Sequence, residues 1–441
     1  MIIGELRSTL IRGARLLDPL SGMDQIGDLL ITGKRIAAIA PGAETLPPQA
    51  EIIDGSGLCL APGLVDMRAR VGEPGNEHKE RIQSAAAAAA AGGVTSLACL
   101  PDTKPPIDDV PALEFVARRA RQVKGVKIHP MAAATRRLEG KEITEIGLLK
   151  ASGAVAFTDA RYAISDARVM RRLLAYAGSF GSLVIQHPEE PSLAKGGVMN
   201  EGAIATRLGL PGIPAMAEII QVERDLRILE LAGGHLHFGH ISTAGAVSAI
   251  ADAKARGLSV SCDVTPHHLR LNELAVEGYR TFAHVSPPLR TEDDRLALVA
   301  GLVDGTIDAI ASDHNAQDQD SKRQPFTLSK PGVIGLETML STVLSLVHEG
   351  RIGLLDLLQR MTVAPAKLLG LEAGALRVGA PADLILFDLE APHKITDFGL
   401  KSLSKNTAFE GHLVQGRVLR TIIDGRTVFE FAKNNDTVPS R

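Results

Sequence analysis

From about residue 61 to about residue 370 the chain alternates short apolar runs with longer helical stretches, and no other feature restricts its fold so tightly. The candidate strands are Gly93–Leu100, Val126–Pro130, Ala154–Thr158, Leu183–Gln186, Leu236–Phe238, Leu258–Cys262 and Ile307–Ala311. Helical patterns run between them, among them Asp166–Tyr176, Ile213–Ala232 and Thr243–Ala255. Strands separated by helices pair in parallel and bury both sheet faces under the helices. So many repeats of the unit fit a (β/α)8 barrel better than an open sheet. The unbroken alanine run Ala85–Ala91 reads as a barrel helix pressed close to the sheet, since alanine favours helix and adds little bulk.

Both ends have a different texture. Thr9–Ile11, Asp28–Ile31 and Arg35–Ile39 read as strands, the last two joined by a turn at Gly33-Lys34. Ala382–Asp388 and Val418–Arg426 also read as strands, with a turn at Asp424-Gly425. The expected organisation is one small composite β-sandwich domain, residues 1–60 plus 371–441, beside a barrel over residues 61–370. With no Trp and 3% aromatic residues, aliphatic side chains and alanine must fill the core. A net charge of −3 gives no electrostatic case for nucleic acid or an anionic membrane as a main partner. The three cysteines, Cys59, Cys99 and Cys262, lack ligand spacing and suit a reducing compartment. The start, Met1-Ile2-Ile3-Gly4-Glu5, does not read as a leader, and no run nears the roughly 20 apolar residues of a spanning helix. A cytoplasmic protein is expected.

In a barrel, chemistry gathers at the C-terminal ends of the strands. Several candidate strands end in His or Asp: Asp159 after Thr158, His187 after Gln186, His240 after Phe238-Gly239, and Asp313-His314 after Ala311-Ser312. Imidazole and carboxylate together suit Zn²⁺ or a similar ion. The first inner strand follows Pro62-Gly63-Leu64-Val65-Asp66-Met67 and ends at Arg68-Ala69-Arg70. Strand alternation places Arg68 and Arg70 on one face. A guanidinium stays protonated and has no lone pair for a metal.

Pro62-Gly63-Leu64-Val65-Asp66, Glu73-Pro74-Gly75, Ala91-Gly92-Gly93-Val94-Thr95, Pro101-Asp102-Thr103-Lys104-Pro105, Pro287-Pro288-Leu289-Arg290, Ser312-Asp313-His314, Gly335-Leu336-Glu337-Thr338 and Ser404-Lys405-Asn406-Thr407 span nearly the whole chain. In these motifs the sequence resembles the type I dihydroorotases of the amidohydrolase superfamily. The resemblance implies a (β/α)8 barrel with a composite β-sandwich. It also implies reversible hydrolysis of dihydroorotate to carbamoyl aspartate with one or two zinc ions. Position by position, however, the site departs from the family. The family's first-strand His-x-His falls on Arg68 and Arg70, so both ligands are replaced. The bridging carboxylate falls on Asp159, the two single histidine ligands on His187 and His240, and the catalytic aspartate on Asp313; all four are kept. The substrate-binding arginine falls on Gly72, and the asparagine of Pro-Asn-Thr on Asp102. The asparagine before Pro-Pro-Leu-Arg falls on Ser286, and the last histidine of Asp-His-Ala-Pro-His on Gln317.

Two arrangements follow for the barrel mouth. In one, Asp159, His187 and His240 hold a single residual zinc beside Asp313, opposed by the arginines. Each unit-charge repulsion at about 4 Å costs about 4 kcal/mol at an effective dielectric near 20. In the other, Arg68 and Arg70 point inward and pair with Asp159 and Asp313, replacing the charge that metals supply elsewhere in the family. Outward-facing, solvated arginines are the plain alternative. Gly72 and Asp102 both disfavour an anionic substrate. The favoured reading is a catalytically degenerate dihydroorotase homologue. By the family's example it serves as a structural partner of aspartate transcarbamoylase and forms a homo-oligomer. The competing readings are an active zinc-dependent dihydroorotase or other cyclic-amide hydrolase, and a sensor that binds a small anion at Arg68 and Arg70. Asp318–Lys322 is expected as a mobile loop beside the pocket. His267-His268 and the His235/His237 pair are expected to be structural, and His78, His129 and His284 to be structural or surface groups.

Overall fold

The structure is a computed structural model that describes residues 8–40 and 49–432. The first residues, read above for a leader, lie outside this range. Five strands open the described chain: β1 (Ser8–Asp18), β2 (Met23–Thr32), β3 (Arg35–Ile39), β4 (Glu51–Asp54) and β5 (Cys59–Pro62). They are followed by β6 (Leu64–Ala69), β7 (Val94–Cys99), β8 (Lys127–Pro130), β9 (Phe157–Thr158) and β10 (Leu183–Gln186). Next come a short pair, β11 (Met199–Asn200) and β12 (Gly212–Ile213), then β13 (His235–Phe238), β14 (Val260–Val264) and β15 (Ala309–Ile310). The chain ends on β16 (Leu384–Lys394), β17 (Leu413–Ile423) and β18 (Arg426–Glu430).

The barrel forms from a three-stranded parallel sheet, β6-β7-β8, and a five-stranded one, β15-β14-β13-β10-β9. Parallel bridges at Ala132–Phe157 and Ala69–His314 join the two into a ring. Helices lie between the strands as the alternation predicts. The helix Ala167–Ser179 starts at Asp166, whose carboxylate accepts from Arg168 N at 2.8 Å and Val169 N at 3.0 Å. It buries Val169, Met170, Leu173, Leu174 and Ala177, a single stripe at helical spacing. The alanine run lies in the helix Ile82–Ala91, with Ala85, Ala88 and Ala89 fully buried. Its end meets the terminal sheet, where Thr421 Oγ1 donates to Ala90 O at 2.7 Å.

The strands of both chain ends combine in one eight-stranded sheet, ordered β18-β17-β16-β5-β1-β2-β3, with β4 on β1. Lys127 clamps this sheet to the barrel through Asp383 at 2.7 Å and Asp424 at 2.8 Å. No helix among the described residues is long and apolar enough to cross a membrane.

One irregularity sets the geometry of the mouth. Val65 and Met67 belong to an interior layer with Ala98, Met131, Ile185 and Ala309, whereas Leu64 and Ala69 pack with the helices. The register of β6 on β7 shifts between Asp66 and Ala69. The shift changes the parity of the strand, so Arg68 and Arg70 enter the mouth on either side of Ala69.

Candidate active site

Arg68 and Arg70 both turn inward and meet at Asp313. Arg68 Nε lies 3.6 Å from Asp313 Oδ1, and Arg70 Nη1 lies 3.5 Å from the same oxygen. His240 Nε2 approaches it at 3.1 Å. These are ion-pair contacts rather than aligned hydrogen bonds. Asp313 is buried, which by itself raises a carboxyl pKa, yet His240, Arg70 and Arg68 hold it far below the usual carboxylate range. Burial presses the Arg68 guanidinium down from its ordinary value, with Asp313 opposing. Burial acts on Arg70 in the same sense, but Asp102 and Asp313 outweigh it and its pKa rises.

A chain of buried polar groups continues behind Asp313. His240 Nδ1 lies 3.0 Å from Asp263 Oδ1, and His237 Nε2 lies 2.9 Å from Asp263 Oδ2. Ser261 Oγ closes the chain at 2.8 Å from His237 Nδ1. Burial opposes charge on His240, but Asp313 and Asp263 overcome it and raise its pKa. Asp313, His240 and Ala160 all hold positive φ, at 42°, 54° and 58°. Such backbone costs on the order of 1–3 kcal/mol per residue and gathers at functional sites.

Asp159 corrects one expectation, because it does not pair with either arginine. Its Oδ1 accepts from Thr135 N at 2.8 Å, and its Oδ2 is taken by the Thr135 hydroxyl. Burial raises the Asp159 carboxyl to about 6. Arg68 Nη2 donates instead to the carbonyl of the next residue, Ala160, at 2.9 Å. The strand end places that carbonyl, rather than the carboxylate, within the reach of Arg68. His187 is buried and makes no hydrogen bond through either ring nitrogen. Burial, together with the charges of Arg68 and His240, holds it well below its ordinary pKa. Among the described residues no group of three or more His, Cys, Asp or Glu side chains is arranged to hold a metal ion.

Of the substituted substrate positions, Asp102 joins the cluster directly, accepting from Arg70 Nε at 2.7 Å. Gly72 has φ +69°, and a Cβ there would stand 2.1 Å from Glu80 O. Gln317 takes part in a rim network, accepting from Lys79 Nζ at 2.8 Å and donating to Asn315 Oδ1 at 2.9 Å. Ser286 precedes the segment whose Pro287 carbonyl lies 3.0 Å from His268 Nε2.

The loop expected at Asp318–Lys322 carries a helical element. Gln319–Lys322 forms a helical turn, capped by Asp318 Oδ1 accepting from Ser321 N at 2.8 Å. Lys322 is buried, and its ammonium donates to the carbonyls of Thr281 at 3.0 Å, His284 at 3.3 Å and Lys330 at 2.8 Å. His267 is buried with Nε2 unpartnered, and burial holds it at about 4, below its ordinary value, with Asp313 opposing. His267 and His268 lie in a short helix, Pro266–Arg270. Pro266 and the Thr265 cap are the signals that reveal it.

Residues 57–246 match the family model described as dihydro-orotase-like. The chain is 42% identical over 421 residues to a protein named dihydroorotase from Syntrophus aciditrophicus, covering 96% of this chain and 99% of that one. It is 43% identical over 418 residues to a dihydroorotase of Geotalea daltonii, covering 95% and 98%. Among solved structures, L-hydantoinase (dihydropyrimidinase) from Arthrobacter aurescens superposes with a TM-score of 0.86 at 24% identity over 96% of each chain. Dihydropyrimidinase from Brevibacillus agri superposes with a TM-score of 0.83 at 24% identity, covering 96% of this chain and 95% of that one. At that identity the structural likeness speaks to the fold.

Proposed function

The chain belongs to the dihydroorotase family of amidohydrolases, and from that premise we propose that it is a catalytically degenerate member acting as a structural partner. The observation that carries this reading is the convergence of Arg68 and Arg70 on Asp313 inside the barrel. Zinc in this family implies donors at Asp159, His187, His240 and Asp313. Here Asp159 is turned to Thr135, and His240 is held between Asp263 and Asp313. A fixed guanidinium stands beside Asp313 and bears electrostatically on His187 and His240. These residues do not fit a metal, and no hydrolytic step is assigned through one. Asp313 is the shared ion-pair partner of Arg68, Arg70 and His240, which hold its carboxyl far below the usual range and so leave it a weak general base.

Substrate recognition points the same way. Dihydroorotate is an anion, and the position of the family's arginine is Gly72, with no room for a side chain. Asp102 brings a carboxylate where the family has an amide, and that carboxylate is committed to Arg70. The proposed partner is aspartate transcarbamoylase in pyrimidine biosynthesis, in a cytoplasmic setting and with this chain as a homo-oligomer. The partner rests on the family's example. Co-expression followed by size-exclusion chromatography tests it: co-elution at micromolar concentration is expected, and separate elution counts against a stable complex.

One observation favours the second reading, an active enzyme with a single residual zinc. Both ring nitrogens of His187 are unpartnered, as those of a ligand awaiting its metal would be. Elemental analysis with a dihydroorotate assay separates the two. The degenerate protein retains no zinc after dialysis and shows no turnover above the blank. About one zinc per chain, with turnover abolished by His187→Ala, overturns the degenerate reading.

A further inference from the structure

The chain that follows the short helix Pro266–Arg270 borders an open cleft of about 570 Å³. Arg270, Arg280 and Arg295 all line it, together with two carboxylates. Each carboxylate is already taken. Glu349 accepts from Arg270 Nη1 at 2.7 Å. Glu292 accepts from Arg295 Nε at 2.8 Å and Nη2 at 2.5 Å, and from Asn272 Nδ2 at 2.8 Å. Arg280 makes no ion pair among the described residues. Its Nη2 donates to the Glu410 carbonyl at 3.4 Å, near the long limit of a hydrogen bond. The cleft therefore carries one positive charge without a counter-ion.

His412 lines the same cleft. Burial, Arg280 and Arg270 hold its imidazole below its ordinary value, so at neutral pH it adds an N–H donor rather than a second charge. Arg270, Leu271, Glu349 and His412 also line a second cleft of about 420 Å³, so the two are continuous. Phe409, Pro392 and Val414 wall that second cleft, with Leu413, which is 82% exposed. One end thus presents an unpaired guanidinium and the other an apolar trough. The lining of both clefts excludes Arg68, Arg70, His240 and Asp313.

We propose that this double cleft binds an organic monocarboxylate, with its carboxylate on Arg280 beside His412 and its apolar body along Phe409 and Leu413. A carboxylate matches the guanidinium fork with two parallel hydrogen bonds. Glu292 and Glu349 on the walls repel further negative charge, which selects a monoanion over a dianion. The apolar body takes Leu413 and its neighbours out of water, so head and body both contribute to binding. The site goes beyond the reading of the barrel mouth and stands whether the mouth is degenerate or active.

Octanoate is the probe, titrated calorimetrically into the full-length protein at constant ionic strength. Saturable binding of one octanoate per chain is expected. Acetate, which lacks the body, and octanol, which lacks the charge, should each bind about tenfold more weakly or worse. Octyl phosphate should bind no more tightly than octanoate. Arg280→Gln removes the charge and Leu413→Asp spoils the trough, and each should weaken octanoate binding by a similar factor. Absence of saturable octanoate binding overturns the site. Octanol that binds as tightly as octanoate overturns it too, as does an affinity that survives both substitutions. Tighter binding of octyl phosphate overturns the monocarboxylate assignment. If a variant fails to fold, a crystal of the parent protein with octanoate decides: density against the Arg280 guanidinium supports the site, and density elsewhere overturns it. Zinc content and dihydroorotate turnover test the barrel mouth separately.

Discussion

Replacing Asp313 by asparagine should destabilise this protein far more than the loss of one surface charge. Its Oδ1 lies 3.1 Å from His240 Nε2, 3.5 Å from Arg70 Nη1 and 3.6 Å from Arg68 Nε. At an effective dielectric near 20, each such contact is worth about 5 kcal/mol before desolvation is subtracted. The carboxylate's own burial removes much of that sum, and the contacts are not additive. The relevant comparison is a buried ion pair broken from one side, which costs about 3–5 kcal/mol because the remaining charge is stranded. Arg68 is the stranded charge, since Arg70 keeps Asp102 and His240 keeps Asp263. Asp313→Asn should therefore lose about 3–5 kcal/mol, a large share of a typical stability of 5–15 kcal/mol. Urea and thermal melts of Asp313→Asn, Arg68→Met and the double variant form the cycle. The double variant should be more stable than Asp313→Asn alone, because the stranded cation is gone. An Asp313→Asn protein within about 0.5 kcal/mol of the parent, the range of an ordinary surface change, would refute the reasoning. Strict additivity across the cycle would refute it equally.

Three further outcomes are expected. Gly72→Arg should lower Tm and soluble yield without conferring dihydroorotate binding, since its Cβ meets Glu80 O at 2.1 Å and φ is +69°; a stable, binding variant contradicts this. Arg68→His combined with Arg70→His should raise retained zinc after dialysis while leaving dihydroorotate turnover at the blank, because Gly72 and Asp102 are unchanged; elemental analysis and a turnover assay read the two effects. Burial alone would raise the Glu80 carboxyl, but His314 at 3.1 Å, Ser402 and Ser84 hold it at about 2, below the ordinary 4.5. A depressed carboxyl stabilises the fold above its unfolded pKa, so this contribution is present above about pH 4.5 and lost as pH falls toward 2, amounting to about 3 kcal/mol. Glu80→Gln should accordingly flatten the acid limb of Tm against pH, and an unchanged limb would show that Glu80 does not carry it.

The barrel was legible because its signals are local. Leu183–Gln186 and Leu236–Phe238 are short apolar strands in both sequence and structure, and Asp166 marks the start of its helix by a cap that needs only neighbouring residues. The seven alanines behave as expected for the same reason, with bulk and helix propensity acting within one element. The site was legible only in part. Arg68, Arg70 and Asp313 do come together, but Asp159 goes to Thr135, a partner twenty-four residues away in sequence that nothing local announces. His267 and His268 lie in a short helix that starts at Pro266. Lys322 turned a polar stretch into a fixed clamp by reaching three carbonyls brought from other segments.

The sequence by itself determined that a metal-ligand pair is absent from the first barrel strand, because no folding can give a guanidinium a lone pair. It also determined the alternation that builds the barrel, since hydrophobic period and helix caps act over a few residues. Only the tertiary structure decided what the two arginines do instead. Alternation left their face open, and the register shift between Asp66 and Ala69 turned them into the mouth. Asp313 then became their common counter-ion because segments far apart in sequence meet at the ring closure of Ala69 with His314. Ionic pairing depends on distance and burial, and both are set by the whole fold rather than by neighbours along the chain.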